Sequence, residues 1–88
     1  MGFEATLRRW SGPAAWVFAP VPEEHAPSVA GPFGRVPVVA TVDGHTWKTS
    51  VWRDKSAGRL LPVPSKVRRG KDDGDVVLVE IAVDPLRM

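Results

Sequence analysis

The chain has 88 residues, 43% hydrophobic and 25% charged, with a mean hydropathy of −0.12, and its length leaves room for one small core but not two. A formal charge of +2 is far from the basic excess of a dedicated nucleic-acid binder, and no run of about 18 apolar residues is present to span a bilayer as a helix. The absence of Cys excludes disulfides, thiolate catalysis and Cys-held zinc together.

Nothing at Met1-Gly2-Phe3-Glu4-Ala5 resembles a basic region leading into an apolar stretch, so no secretory signal is read there and a cytoplasmic location is expected. Nine Pro and eight Gly, with β-branched residues between them, point to short strands and tight turns. Phe3, Ala5 and Leu7 alternate with Glu4, Thr6 and Arg8, the pattern of a half-buried first strand. A turn at Ser11-Gly12-Pro13 leads into a second strand, Trp16-Val17-Phe18-Ala19. Pro22-Glu23-Glu24-His25-Ala26 has Pro in a first-turn position with acids behind it, which suits one helical turn.

The clearest local signal is the run Val36 to Val42, then Asp43-Gly44, then His45 to Trp52. Asp-Gly between two extended runs makes a type I′ hairpin, because Gly takes positive φ without steric cost. A two-residue turn sets the register. Val42 faces His45, Ala40 faces Trp47, Val38 faces Thr49 and Val36 faces Val51 on an apolar face assigned to the core. The wetter face carries Thr41 with Thr46, Val39 with Lys48, Pro37 with Ser50 and Arg35 with Trp52. Arg59 to Val63 forms a short strand, Ser65 to Gly70 a helical turn with a Ser cap and a Gly stop. Asp75 to Val83 closes the chain, with Val77, Val79, Ile81 and Val83 inward.

Pro20-Val21-Pro22 recurs as Pro62-Val63-Pro64, 42 residues later, and Gly34 recurs as Gly74, 40 residues later. Each copy runs strand, Pro-x-Pro, polar turn, Gly, Val-rich strand, so residues from about 15 to 42 and from 59 to 83 form a pseudo-repeat within one domain spanning 1–88. Neither unit can bury its own apolar face, and two such units close around a pseudo-twofold axis. The fold class expected is all-β: a small double-split barrel or pseudobarrel of two similar strand–turn–strand halves, with one or two short helical turns.

The segments Val42 to Ser50, Gly58 to Val63, Lys66-Val67-Arg68 and Gly74 to Val79, with the opening Phe3 to Leu7 and Pro22-Glu23-Glu24, resemble the bacterial domain of unknown function 1905 family over nearly the whole chain. The resemblance implies a double-split β-barrel related in architecture to the AbrB and MazE swapped-hairpin proteins. Pro62 to Arg68, running on to Gly74-Asp75, is similar to the half-barrel motif of those DNA-binding proteins. The loop Arg69 to Asp73 departs from the family in being shorter and more polar. The resemblance supplies no biochemical activity.

Two constellations are candidates for a site. Trp52 and Arg35 oppose each other on the outer hairpin face with Lys48, Ser50 and Arg53 nearby, a platform for a base, an aromatic ligand or a partner protein, or a cation–π pair covering a barrel end. Lys66, Arg68, Arg69 and Lys71 are the densest basic cluster, which reads as a phosphate-contacting patch or as a solvated turn balanced by Asp72, Asp73 and Asp75. The repeat weighs against duplex recognition there, because the counterpart of Ser65 to Arg68 is the acidic Glu23 to Ala26. Trp47 and Trp16 are assigned to the core, and Trp10 to either side. His25 and His45 have no metal-ligand spacing, and no Gly-x-Ser-x-Gly elbow or phosphate-cradling Gly loop occurs. The expectation is a small binding module, monomeric or weakly dimeric, without enzymatic activity, cofactor or membrane attachment. Its partner would be a protein or small molecule meeting Arg35, Lys48, Trp52 and Arg53, with Lys66, Arg68 and Arg69 if that turn lies alongside. The alternatives are a nucleic-acid-binding regulator of the AbrB or MazE kind and a small-ligand barrel with enzymatic activity.

Overall fold

The computed structural model describes residues 2–10, 16–25, 35–54 and 58–84; the turn expected at Ser11 to Pro13, the repeat's Gly34 and the end of the first helical segment at Ala26 lie outside them. In chain order the elements are β1 (Gly2–Thr6), β2 (Arg8–Arg9), β3 (Val17–Val21), a 3₁₀ turn (Glu23–His25), β4 (Arg35–Val42), β5 (His45–Asp54), β6 (Gly58–Pro62), α1 (Ser65–Arg68) and β7 (Val76–Val83). All pairings are antiparallel, in the order β1-β7-β4-β5-β6-β3-β2. The two ends of that order are one ribbon. Leu7 donates its N–H to Asp75 O (2.8 Å) and accepts from Gly74 N (2.9 Å), staying with the β7 side, and the chain then crosses to pair Arg8 with Phe18. The sheet therefore nearly closes on itself as an all-β barrel, which protects strand edges.

The hairpin forms with the expected register at all eight rungs, Arg35↔Trp52 through Val42↔His45. Asp43 (φ 47°) and Gly44 (φ 87°) are both left-handed, as a type I′ turn requires. Strict alternation then sorts the side chains. Phe3, Ala5, Leu7, Val17, Ala19, Val36, Val38, Ala40, Val42, Val51, Leu61, Val77 and Val79 meet inside, joined by Val67 from α1. Ile81 packs against this cluster half-buried, whereas Val83, expected inside, is 36% exposed where β7 runs out at the barrel rim. α1 also starts one residue earlier than expected: Pro64, not Ser65, is the N-cap, Ser65 is the first helical residue, and Arg69 in the left-handed region (φ 53°) ends the helix ahead of Gly70.

The register is itself two-fold. Phe18↔Pro62 and Pro20↔Leu60 exchange under a shift of 42 residues, with Ala19↔Leu61 on the axis. Val38↔Val83 and Val42↔Val79 exchange under a shift of 41, with Ala40↔Ile81 on the axis. The bonds Asp43 N–H to Leu78 O and Asp84 N–H to Pro37 O, both 2.9 Å, are related in the same way. The second shift is 41 rather than the 40 read from the glycines. The prolines explain why the sheet splits where it does. Pro20 and Pro62 have no N–H to donate, so each ladder toward the flanking strand stops two residues earlier, at Phe18↔Arg8 and Leu60↔Trp52. β5 continues from there with β4 alone, and β1 with β7 alone.

Candidate functional site

Even-numbered positions on β2, β3, β5 and β6 point away from the barrel interior. Across these strands one row reads Arg8, Phe18, Pro62 and the next reads Arg35, Trp52, Leu60, Pro20. Together with Trp10 and Trp16 at the ends of β2 and β3, they build a second apolar layer on the outside of the barrel. Its ring centroids are 5.6 Å apart for Trp10–Phe18, 6.0 Å for Trp16–Phe18, 5.4 Å for Phe18–Trp52 and 5.3 Å for Trp16–Trp52. Arg35 caps the chain of rings, with its guanidinium carbon 4.7 Å from the centre of Trp52. Phe18 and Leu60 are buried beneath this layer, whereas Trp10 and Trp16 are 46% and 45% exposed. Such pairs contribute about 0.5–1.5 kcal/mol each beyond area burial. Trp16, assigned to the core from its sequence, is thus an exterior residue, while Trp47 does pack half-buried against the core.

Two clefts flank the rings. A cavity of about 450 Å³ is lined by Arg8, Arg9, Trp10, Phe18, Pro20 and Leu60, a volume within the range of ligand sites. A second, of about 260 Å³, opens where β5 leaves β6, between Trp16, Trp47, Trp52, Pro62 and Pro64, with the hydroxyl residues Thr49 and Ser50 in its lining. Neither lining contains an acidic residue among those described.

Of the residues singled out from the sequence, Arg35 and Trp52 meet face to face. Lys48 is exposed and shares the outer face of β5, four residues and about 13 Å from Trp52. Arg53 is exposed and opposes Arg59 of β6 on the next rung, on the opposite side of the strand from Trp52. The basic turn does not join them. Arg69 donates from Nη1 to His45 Nε2 (2.9 Å), at the far end of β5, seven residues and about 23 Å along the strand from Trp52.

The basic turn is held by ion pairs. Lys71 Nζ donates to Asp43 Oδ2 (2.7 Å), Arg68 lies 3.6 Å from Asp72, and Asp72 also pairs with Arg9. Lys66 is exposed. The N–H of Leu78 on Oδ1 and the Lys71 ammonium on Oδ2 hold the Asp43 carboxyl below its ordinary value. The N–H of Asp73 and the Arg9 guanidinium do the same for Asp72. These carboxylates fasten the hairpin tip and β2 to the loop before β7, giving the short polar stretch Arg69 to Asp73 a structural task.

Sequence reasoning found Trp52 and Arg35 through the hairpin register but missed Phe18, Trp10 and Arg8 as their neighbours. The available signal was parity along the first ribbon: Arg8 and Trp10 fall on even positions, opposite in phase to Phe3, Ala5 and Leu7.

The chain matches the family described as Domain of unknown function (DUF1905) over residues 3–81 and belongs to it. No curated protein matches the chain. No helix among the described residues is long and apolar enough to cross a membrane, which leaves membrane crossing by strands unaddressed.

Proposed function

We propose that the chain is a binding module whose site is the exterior aromatic layer of β2, β3, β5 and β6, and that it performs no chemistry of its own. One observation carries this reading: a layer of four aromatic rings lies outside a barrel that already has a separate interior, and two of those rings are nearly half-exposed. Contiguous exposed apolar surface of this kind marks interaction sites, and aromatic and Arg residues carry most of the energy at them. Binding rather than catalysis is supported by the groups present. Indole rings, prolines and guanidinium groups do not exchange protons near neutral pH.

The reading as a duplex-binding regulator of the AbrB or MazE kind is supported by the two-fold register. It is the weaker one, because the 42-residue shift sets the basic segment of α1, with Lys66 over Glu24 and Ser65 over Glu23, against the acidic 3₁₀ turn. Phosphates meeting both halves would be attracted by one and repelled by the other.

The test is a nuclear magnetic resonance screen of the intact protein against small aromatic and aliphatic compounds of both charges. Perturbations are expected at the indole N–H signals of Trp10, Trp16 and Trp52. Hits confined to α1 and the hairpin tip, or no hits, would remove the proposal.

A further inference from the structure

We infer that the occupant of this face is single-stranded RNA, a step that rests on the reading of the aromatic layer as the binding site. Unpaired bases are recognised by stacking on aromatic rings beside a cationic track, with no need for a groove that accepts a duplex. The layer provides both parts. The partly exposed rings of Trp10, Trp16 and Trp52 surround the buried Phe18, and the row ends under the Arg35 guanidinium. Exposed Arg8, Arg35 and Lys48 share the outer face with those rings. The single acid on that face among the described residues, Asp54, is already engaged in an interaction. Charge complementarity therefore selects an anion, and the length of the ring path selects one with more than one planar group.

The split between β5 and β6 distinguishes RNA from DNA. The smaller cleft puts Ser50, on the outer face of β5, beside Trp16 and Trp52. A base stacked on those indoles would carry its sugar into reach of a hydroxyl able to give and accept a hydrogen bond with a ribose 2′-hydroxyl, which deoxyribose lacks. The two-fold argument against duplex binding does not apply. Neither cleft is lined by Lys66, Arg68, Glu23 or Glu24, the residues on which that argument turns.

The experiment is fluorescence anisotropy of a short labelled oligouridylate titrated with the full chain. Deoxythymidine oligomer and duplex of equal length are the comparators. Three phosphate contacts give a slope of about −2 for log affinity against log salt, hence about a twentyfold loss on a fourfold increase in salt. Trp16→Ala, at a half-exposed ring, is expected to weaken binding about fivefold or more while circular dichroism shows the barrel still folded, and Trp10→Ala, with one ring contact, serves as a second variant. Arg8→Ala should lower affinity and make the salt slope shallower by about 0.7. Deoxythymidine or duplex binding as tightly as oligouridylate would overturn the inference, as would binding unaffected by both Trp variants. No oligouridylate binding at low salt, with small-molecule hits still mapping to the indoles, would overturn RNA as the occupant and leave the face as the site.

Discussion

The inside of this barrel and its aromatic outer layer are built from the same strands by opposite rules. Inside, small β-branched and aliphatic residues repeat at every second position, and Val36, Val38, Ala40 and Val42 are 2% exposed or less. Outside, large rings and cations occupy the intervening positions of β2, β3, β5 and β6, and part of that surface remains in contact with water. The interior is closed off from water, so a change of volume there is felt across the sheet. The outer layer has a free side, which lets a side chain be removed at a cost close to its own contacts. Stability and recognition are thereby assigned to alternate residues of one strand, as Val51 and Trp52 illustrate.

Substitutions graded across the two layers can break that contrast. Leu61, fully buried on the two-fold axis opposite Ala19, should lose about 3 kcal/mol as Leu61→Ala in chemical denaturation, with a loss below about 1 kcal/mol showing that the interior is not the main source of stability. Trp52→Ala removes two ring contacts and the stacking of Arg35 from a half-buried site. A loss of about 2 kcal/mol is expected by the same measurement, and a loss equal to that of Leu61→Ala would make Trp52 part of the core. Gly44→Ala has open space for its methyl group but places a side chain at φ 87°, so a loss of about 1 kcal/mol is expected from backbone strain alone.

The loop contacts give a smaller, pH-dependent effect. Asp43 and Asp72 have folded-state values lowered from 3.8, so their stabilisation is complete above that value and is lost as pH falls through the lowered folded-state values. Melting temperature should therefore fall on acidification below about pH 4, and Asp43→Asn should flatten that fall while leaving the interior intact. An unchanged acid limb in Asp43→Asn would show that the contacts to Leu78 and Lys71 do not contribute.

Much of the architecture was legible from residue pattern. The hairpin could be paired rung by rung because a two-residue Asp-Gly turn leaves one register that buries Val36, Val38, Ala40 and Val42 together. The repeat was legible because Pro20 and Pro62 perform the same task, ending a ladder for want of an N–H. Trp16 was misplaced for a physical reason: Trp16-Val17-Phe18-Ala19 is apolar on both faces, so alternation carries no sign there, and only pairing with β6 shows which face is inside. The position of the basic turn was not legible either. It depends on where α1 docks, and that is set by Val67 entering the core and by Arg69 reaching His45.

The most direct test of the division between the layers is the unfolding free energy of the Trp10→Ala, Trp16→Ala double variant, measured by denaturant titration beside the parent chain. Both indoles are nearly half in water and share three ring contacts, so a loss of about 1.5–2 kcal/mol is expected. A loss of about 3 kcal/mol or more would mean that the outer rings hold the barrel together and are not held in reserve for a partner.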